Sequence, residues 1–286
     1  MISTFCLNPS FDKTVEVSAF RTGGTNRILR SRVDPGGKGV NVARVLKTLG
    51  MDVRCVCALP DKGKEEFLEL LSEENLEVEA ISTPGTLRTN TKIFSQDSSR
   101  VTELNESGVP LSSKALEDLA RSLNRDLVSH AAGIPGKETM ATTFTALLLD
   151  DTGAWHVHTG NTRLAVMSGM FIRQITTDHT TWQWLMDSGN FEAADRCNRC
   201  EIQSCLGAGS IRYLTRLSIR HFREPGSASG VYILTSDGIH EYTDADFMED
   251  VMGRPEISDL ERTDLIMEEA LKNESPDDKT ILIVRC

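Results

Sequence analysis

The sequence has no apolar run approaching the ~20 residues that carry a helix across a bilayer. Its first residues, Met-Ile-Ser-Thr-Phe-Cys-Leu-Asn, show neither a basic leader nor a long apolar core. These absences argue against a membrane span or secretory leader and predict a cytoplasmic protein. An excess of positive charge is also missing. Lys and Arg number 31 against 42 Asp and Glu, a net charge of −11, and the cations are scattered rather than striped. No nucleic-acid or anionic-membrane surface is therefore expected. Nor is there a paired cysteine framework: the seven cysteines are odd in number and unevenly spread, which suits reduced thiols. Cys197, Cys200 and Cys205 cluster, but structural zinc takes four ligands and no histidine lies close by in sequence, so the cluster is not read as a metal site.

What is present is enough chain, 286 residues, for one large or two modest domains with real cores. The stretch that organises the first half is Pro35-Gly36-Gly37-Lys38-Gly39-Val40-Asn41, continuing to Gly50. Val42, Val45, Leu46 and Leu49 recur at helical spacing and Gly50 closes the pattern, so a glycine turn feeding one amphipathic helix is predicted. Glycines let the backbone approach a polar ligand, and a helix N-terminus offers unpaired N–H groups to oxygens or phosphate. A sugar phosphate suits such a turn. Around it, Ile2 to Leu7, Val53 to Ala58 and Val78 to Ile81 read as strands and Glu65 to Leu71 as a helix, giving the alternation of an α/β segment. Arg88, Asn90 and Lys92 occupy alternate positions of a further strand, so one face of it is basic and polar. Arg grips a pair of phosphate oxygens and Lys adds a point charge.

With Asn8-Pro9-Ser10-Phe11-Asp12 upstream and Thr102-Glu103-Leu104-Asn105-Glu106 downstream, residues Met1 to Leu111 resemble the PfkB (ribokinase-like) sugar kinases, their 1-phosphofructokinase branch most closely. The resemblance implies that Thr14 to Val17 and Arg27 to Val33 are lid strands over a sugar phosphate such as fructose 1-phosphate. It also implies that Asp12, Gly37, Lys38, Asn41, Arg88, Asn90 and Lys92 bind that ligand, and that ATP is the cosubstrate. These kinases carry a late Gly-Ala-Gly-Asp element whose Asp is the base. The nearest string here, Leu206-Gly207-Ala208-Gly209-Ser210, has Ser in that position.

After Gly136 the pattern becomes short strands in hairpin succession, arguing for antiparallel sheet. They are Met140 to Leu149, Ala154 to His158, and the turn Gly160-Asn161-Thr162-Arg163 leading into Leu164-Ala165-Val166. Thr177-Asp178-His179 opens a helix that Asp178 or Thr177 is expected to cap. Strand Val231 to Leu234 runs into Thr235-Ser236-Asp237-Gly238, and Asp277-Asp278-Lys279-Thr280 precedes a closing apolar strand. In this order residues from about Leu116 to Arg285 resemble the metal-dependent protein phosphatases of the PPM (type 2C) family. The resemblance implies that Asp237 and Asp277 bind a Mg2+ or Mn2+ pair and that the partner is a phosphoprotein. The family's early Asp-Gly pair has no counterpart. Asn161 stands where that family has Asp, and Asp278 where it has Asn, so part of the ligand set is missing.

The fold expected is thus an α/β N-terminal segment, partial ribokinase-like with lid strands, over 1–111. A connecting helix over 112–135 joins it to an α+β C-terminal segment, partial PPM-like with antiparallel sheet, over 136–286. Three functions follow from this architecture. One is an active phosphotransfer enzyme, completed by another chain or by a substitute acid such as Asp34, Glu103 or Asp244. Another is a binding or regulatory protein that keeps the sugar-phosphate pocket without turnover. The last is a join of two gene pieces without function. Sheets missing their partner strands leave exposed apolar edges, from which a homodimer is expected.

Overall fold

A computed structural model describes residues 2–150, 153–208, 216–222 and 230–286, the side chain of Asp150 excepted. Two compact units form, residues 1–122 and 123–286, and the division falls inside one long helix, Ser113–Ala132.

In the first unit, β1 (Ile2–Cys6), β4 (Val53–Lys62) and β5 (Glu77–Thr86) make a parallel sheet in the order β1-β4-β5. Its crossovers are α1 (Lys38–Thr48) and α2 (Lys64–Glu73). Parallel strands need such crossovers, and covering helices make the strands apolar. Accordingly Cys55, Val56, Cys57 and Leu59 of β4 are fully buried. A second sheet, β3-β2-β6-β7, is built from β2 (Ser10–Val17), β3 (Ile28–Gly36), β6 (Arg88–Ser95) and β7 (Arg100–Asn105). Strands β2 and β3 contain the expected Thr14 to Val17 and most of Arg27 to Val33. The first unit's core joins both sheets: Phe11 of β2 meets Phe67 of α2 edge to face at 5.8 Å, among Val40, Ala43, Leu59 and Leu71.

Helix α1 ends in a Schellman motif. Gly50, at φ 76°, donates to Lys47 O at 2.9 Å and Met51 donates to Leu46 O at 3.0 Å. Its buried face departs from the apolar spacing in the sequence. The side turned to the sheet is Gly39, Val40 and Ala43, whereas Val42, Val45 and Leu49 are 51%, 60% and 67% exposed. Small residues allow the helix to lie close on β1, and that contact fixes its rotation.

The second unit contains α3, the helix just named, from residue 123 on. Two antiparallel sheets follow, β14-β10-β9 and β12-β11-β15-β16. Their strands are β9 (Phe144–Asp150), β10 (Gly153–Thr159), β11 (Arg163–Ser168), β12 (Phe171–Gln174), β14 (Ser218–Phe222), β15 (Val231–Thr235) and β16 (Ile281–Arg285). Ala154, Leu164, Val166 and Tyr232 pack between the sheets. The other face of the four-stranded sheet meets α6 (Asp237–His240), α7 (Ala245–Gly253) and α8 (Asp259–Lys272) through Ile233, Ile239, Val251 and Ile266. Helix α8 opens on a capping box, Ser258 with Glu261. The expected run Met140 to Leu149 divides into β8 (Ala141–Thr142) and β9. Residues Leu206–Gly207 form β13, paired with β8. Gly209 and Ser210 lie outside the described residues. Between β12 and β13, α4 (Thr181–Asp187) precedes α5 (Phe191–Ala194). The cap of α4 is Thr180, whose hydroxyl accepts from Gln183 N at 3.2 Å, rather than Thr177 or Asp178. Asp178 is instead held by an arginine, as described below. No helix among the described residues is long and apolar enough to cross a membrane.

Four histidines of this unit are enclosed. Burial pushes His156 and His179 down to about 4 and His158 and His240 down to about 3. A base whose folded value is depressed costs nothing above its unfolded value of about 6.5. Below that, the unfolded chain takes up protons that the folded chain refuses. Stability is therefore expected to fall on acidification from about pH 6.5 toward 4, by up to about 1.4 kcal/mol per pH unit per histidine. Thermal melts of wild type and His156→Phe at pH 7.5 and 5.0 check this. The variant should lose less Tm between the two.

Candidate functional site

The glycine turn closes down on β1. Gly37 has φ 121°, and a Cβ there would overlap Cys6 Sγ; a Cβ on Gly39 would overlap Phe5 O. Only glycine permits this approach, which brings the N-terminus of α1 to the end of the parallel sheet. Gly37 is the N-cap and supplies no side-chain acceptor for the first turn, whose Gly39 and Val40 N–H groups point at the Cys6 sulfur in the cavity wall.

A cavity of about 550 Å³ opens there. Asp12, Gly37, Lys38, Asn41, Arg88 and Asn90 all line it, from β2, the turn, α1 and β6. Strand register explains the meeting, since β2 and β6 pair in parallel with Ser10 opposite Arg88, Asp12 opposite Asn90 and Thr14 opposite Lys92. Asp12 Oδ1 accepts from Ser10 Oγ at 2.9 Å and Asn90 Nδ2 at 3.2 Å. Arg88 is held by carbonyl oxygens of Pro9, Asn8 and Glu106 at 3.2 to 3.3 Å. Asn41 Oδ1 accepts from Arg44 Nη1 at 2.9 Å, and Arg44 forks onto Glu74 at 2.6 and 2.7 Å. Lys92, though on the same strand face, lines a neighbouring cavity of about 380 Å³ with Arg32, Asp34, Arg44 and Glu74; Asp12 borders both. The register places Lys92 one step farther along β6 than the main cavity reaches. Cations, N–H groups and one oriented carboxylate suit an anion carrying hydroxyls. Sequence reading missed Ser10, Arg44 and Cys6 here. The Asn8-Pro9-Ser10 turn was the signal for Ser10, while Arg44 and Cys6 carried none.

In the second unit, Asn161, Asp237 and Asp277 gather at one end of the four-stranded sheet, where Arg163 opposes Thr235 and Thr235 opposes Ile281. Ser236 Oγ donates to Asp278 O at 3.0 Å, and the start of α6 lies against residues 277–278 at Gly238, where a Cβ would overlap Asp278 O. Asn161 is buried and donates through Nδ2 to Asp237 Oδ2 at 2.8 Å, while Asp237 Oδ1 accepts from Gly238 N at 3.0 Å. Asp277 Oδ1 accepts from Asp278 N at 2.8 Å. An amide thus donates to the carboxylate oxygen that a dication would claim. Each of the two carboxylates accepts one N–H and keeps further lone pairs, and Asn161 adds no negative charge beside them.

Beside them Arg163 bonds Asp178 at 2.7 and 3.1 Å and Glu241 at 2.8 Å. Asp178, His240 and Glu241 offer ligand atoms within 4.8 Å of one another, the one such group among the described residues. Arg163 already supplies that group with a cation. Burial first, then Glu241, Asp237 and Asp277, pushes the Cys200 thiol up, which places Cys200 in the field of the same carboxylates. Cys197 Sγ bonds Ala194 O at 3.3 Å and Cys205 is buried. His179 Nδ1 accepts from Gly160 N at 3.4 Å and its Nε2 pairs with Ser218 Oγ at 3.0 Å, so both ring nitrogens are engaged within the fold. Among the substitute acids, Asp34 pairs with Arg32 at 2.8 Å, Asp244 caps α7, and Glu103 is exposed on β7.

A family model described as pfkB family carbohydrate kinase matches residues 7–138, a stretch reaching past Leu111 through α3. Within it, the chain is similar to 1-phosphofructokinases. It is 37% identical over 139 residues to that of Bacillus subtilis (47% of this chain, 45% of that one) and 35% identical over 122 residues to that of Rhodobacter capsulatus (43% and 39%). The chain spans less than half the length of these relatives. A solved Mycobacterium tuberculosis serine/threonine phosphatase is similar over 59% of this chain and 70% of that one, with TM-score 0.51 and 25% identity.

The Asn161 contact is directly testable. In Asn161→Asp a second carboxylate faces Asp237, and the variant should lose about 1–3 kcal/mol in metal-free buffer. Mn2+ should restore this stability and raise its Tm well above any effect on wild type. Equal Mn2+ shifts in both proteins would contradict this account of the amide.

Proposed function

We propose that this protein binds a sugar phosphate, of the fructose 1-phosphate class, in the cavity of its first unit, and that it is a hybrid phosphate-handling protein in which neither phosphotransfer centre is complete. The observation that carries the reading is the convergence of six side chains and backbone groups, separate in sequence, on that one cavity. Asp12, an acceptor, takes ligand hydroxyls. Arg88, Lys38 and the positive N-terminal end of α1 take the phosphate, with Lys92 adding charge from the adjoining cavity. The names of the relatives support the choice of a fructose phosphate.

The second unit supports a phosphatase-like fold with impaired chemistry. Mg2+ or Mn2+ bound there would supply a metal-activated water, but Asn161 and the short ligand set at Asp237 and Asp277 weigh against it. A phosphoprotein remains the partner class its fold resemblance favours. The base expected for phosphoryl transfer from ATP is Ser210 in this sequence, and a hydroxyl without an activating carboxylate is a poor acceptor of the attacking hydroxyl's proton.

Thermal shift with fructose 1-phosphate tests the reading. At a hundred times Kd the ligand should add about 2.7 kcal/mol of stability. Asp12→Ala or Arg88→Ala should weaken binding at least about tenfold, about 1.4 kcal/mol. No shift at millimolar ligand would sink the proposal. Manganese-dependent hydrolysis of a phenyl phosphate ester, lost in Asp237→Ala, would overturn the incompleteness and favour an active phosphatase.

A further inference from the structure

Beneath the glycine turn lies a cluster of thiols that the sugar-phosphate reading does not use. Strands β1 and β4 run in parallel with Cys6 directly opposite Cys57. Cys55, two residues earlier on the same face of β4, has its sulfur 3.4 Å from that of Cys57. All three are buried. Cys6 alone of them also lines the cavity, beside Asn8, Gly37 and Lys38, with its sulfur filling the space under Gly37. The cavity is therefore the route by which a small solute reaches a nucleophile inside the core.

We propose that Cys6 is a site of oxidative modification by peroxides entering through this cavity, and that Cys57 resolves it to a disulfide. The Cys6 sulfur attacks one peroxide oxygen, the O–O bond breaks, and a water leaves, giving the sulfenic acid. The Cys57 sulfur then attacks that sulfur, the S–O bond breaks, and the hydroxyl departs as a second water with the Cys57 proton. Two thiols and one hydrogen peroxide become one disulfide and two waters.

The division of roles follows from the surroundings. The Cys57 thiol and the backbone N–H groups of Val40, Gly39 and Asn8 point at the Cys6 sulfur and hold it down to about 7, while the hydrogen bonds to Cys55 and Cys6 push Cys57 well up. Cys57 lowers Cys55 in the same way, but only Cys6 lines the cavity, so Cys6 is the thiolate that a solute reaches and Cys57 the proton donor. Neighbouring strands set Cys6 and Cys57 about 4.8 Å apart at Cα, inside the disulfide range, and Cys55, whose sulfur touches that of Cys57, is the competing partner that peptide mapping distinguishes.

The experiment treats the reduced full-length protein with hydrogen peroxide, blocks free thiols and maps peptides without reduction. A Cys6–Cys57 cross-link, reversed by dithiothreitol, is expected. In Cys57→Ser, dimedone should trap Cys6 as the sulfenic acid. A Cys55–Cys57 cross-link, or an unmodified Cys6 while exposed Cys200 and Cys286 are oxidised, overturns the proposal. One arm rests on the sugar-phosphate reading: fructose 1-phosphate at ten times its Kd should slow the cross-link about tenfold. Cross-linking at an unchanged rate sinks the ligand assignment and leaves the thiol pair standing.

Discussion

Gly37 and Gly39 leave no room for a Cβ between the glycine turn and strand β1, and the first unit is arranged around that contact. The turn's approach sets which face of α1 is buried and brings the N-terminus of the helix to the cavity wall. It also seats the turn on Cys6. A side chain at either position would lift the helix off the sheet, separating Lys38 and Asn41 of α1 from Asp12 and Arg88. Binding geometry and core packing are one feature here, because the residues that close the core also form the cavity floor.

The second unit depends on a different kind of substitution. Where a carboxylate beside Asp237 would leave two negative charges in search of a cation, Asn161 satisfies Asp237 with an N–H, and Arg163 satisfies Asp178 and Glu241. Charges that a metal centre would gather are thus neutralised from within the protein. At this sheet end the carboxylates are held by an amide and a guanidinium of the same unit.

Much of this was legible in sequence because strand alternation and glycine turns are local. Arg88, Asn90 and Lys92 were placed on one face by counting alone, and β1 to β6 with α1 and α2 follow the apolar runs and turns, whereas the exposed β7 carried no such run. What escaped reading depends on partners remote in sequence. The exposed positions Val42, Val45 and Leu49 have the spacing of a core face, but spacing reports a stripe and not what covers it. The stretch similar to the curated relatives is less than half their length. Thr180 displaced Asp178 as the cap of α4 because Arg163, fifteen residues upstream, claimed that carboxylate first. The opposition of Cys6 and Cys57 required strand register, which no local pattern contains.

The central claim is that the glycine turn, Asp12 and Arg88 form one anion-binding cavity that the first unit assembles on its own residues. Hydrogen–deuterium exchange with and without fructose 1-phosphate measures this most directly. Slower exchange confined to peptides spanning residues 5–12, 36–41 and 88–92 is the result the structure predicts. Unchanged exchange there, or protection only at residues 161–163 and 236–241, would contradict it.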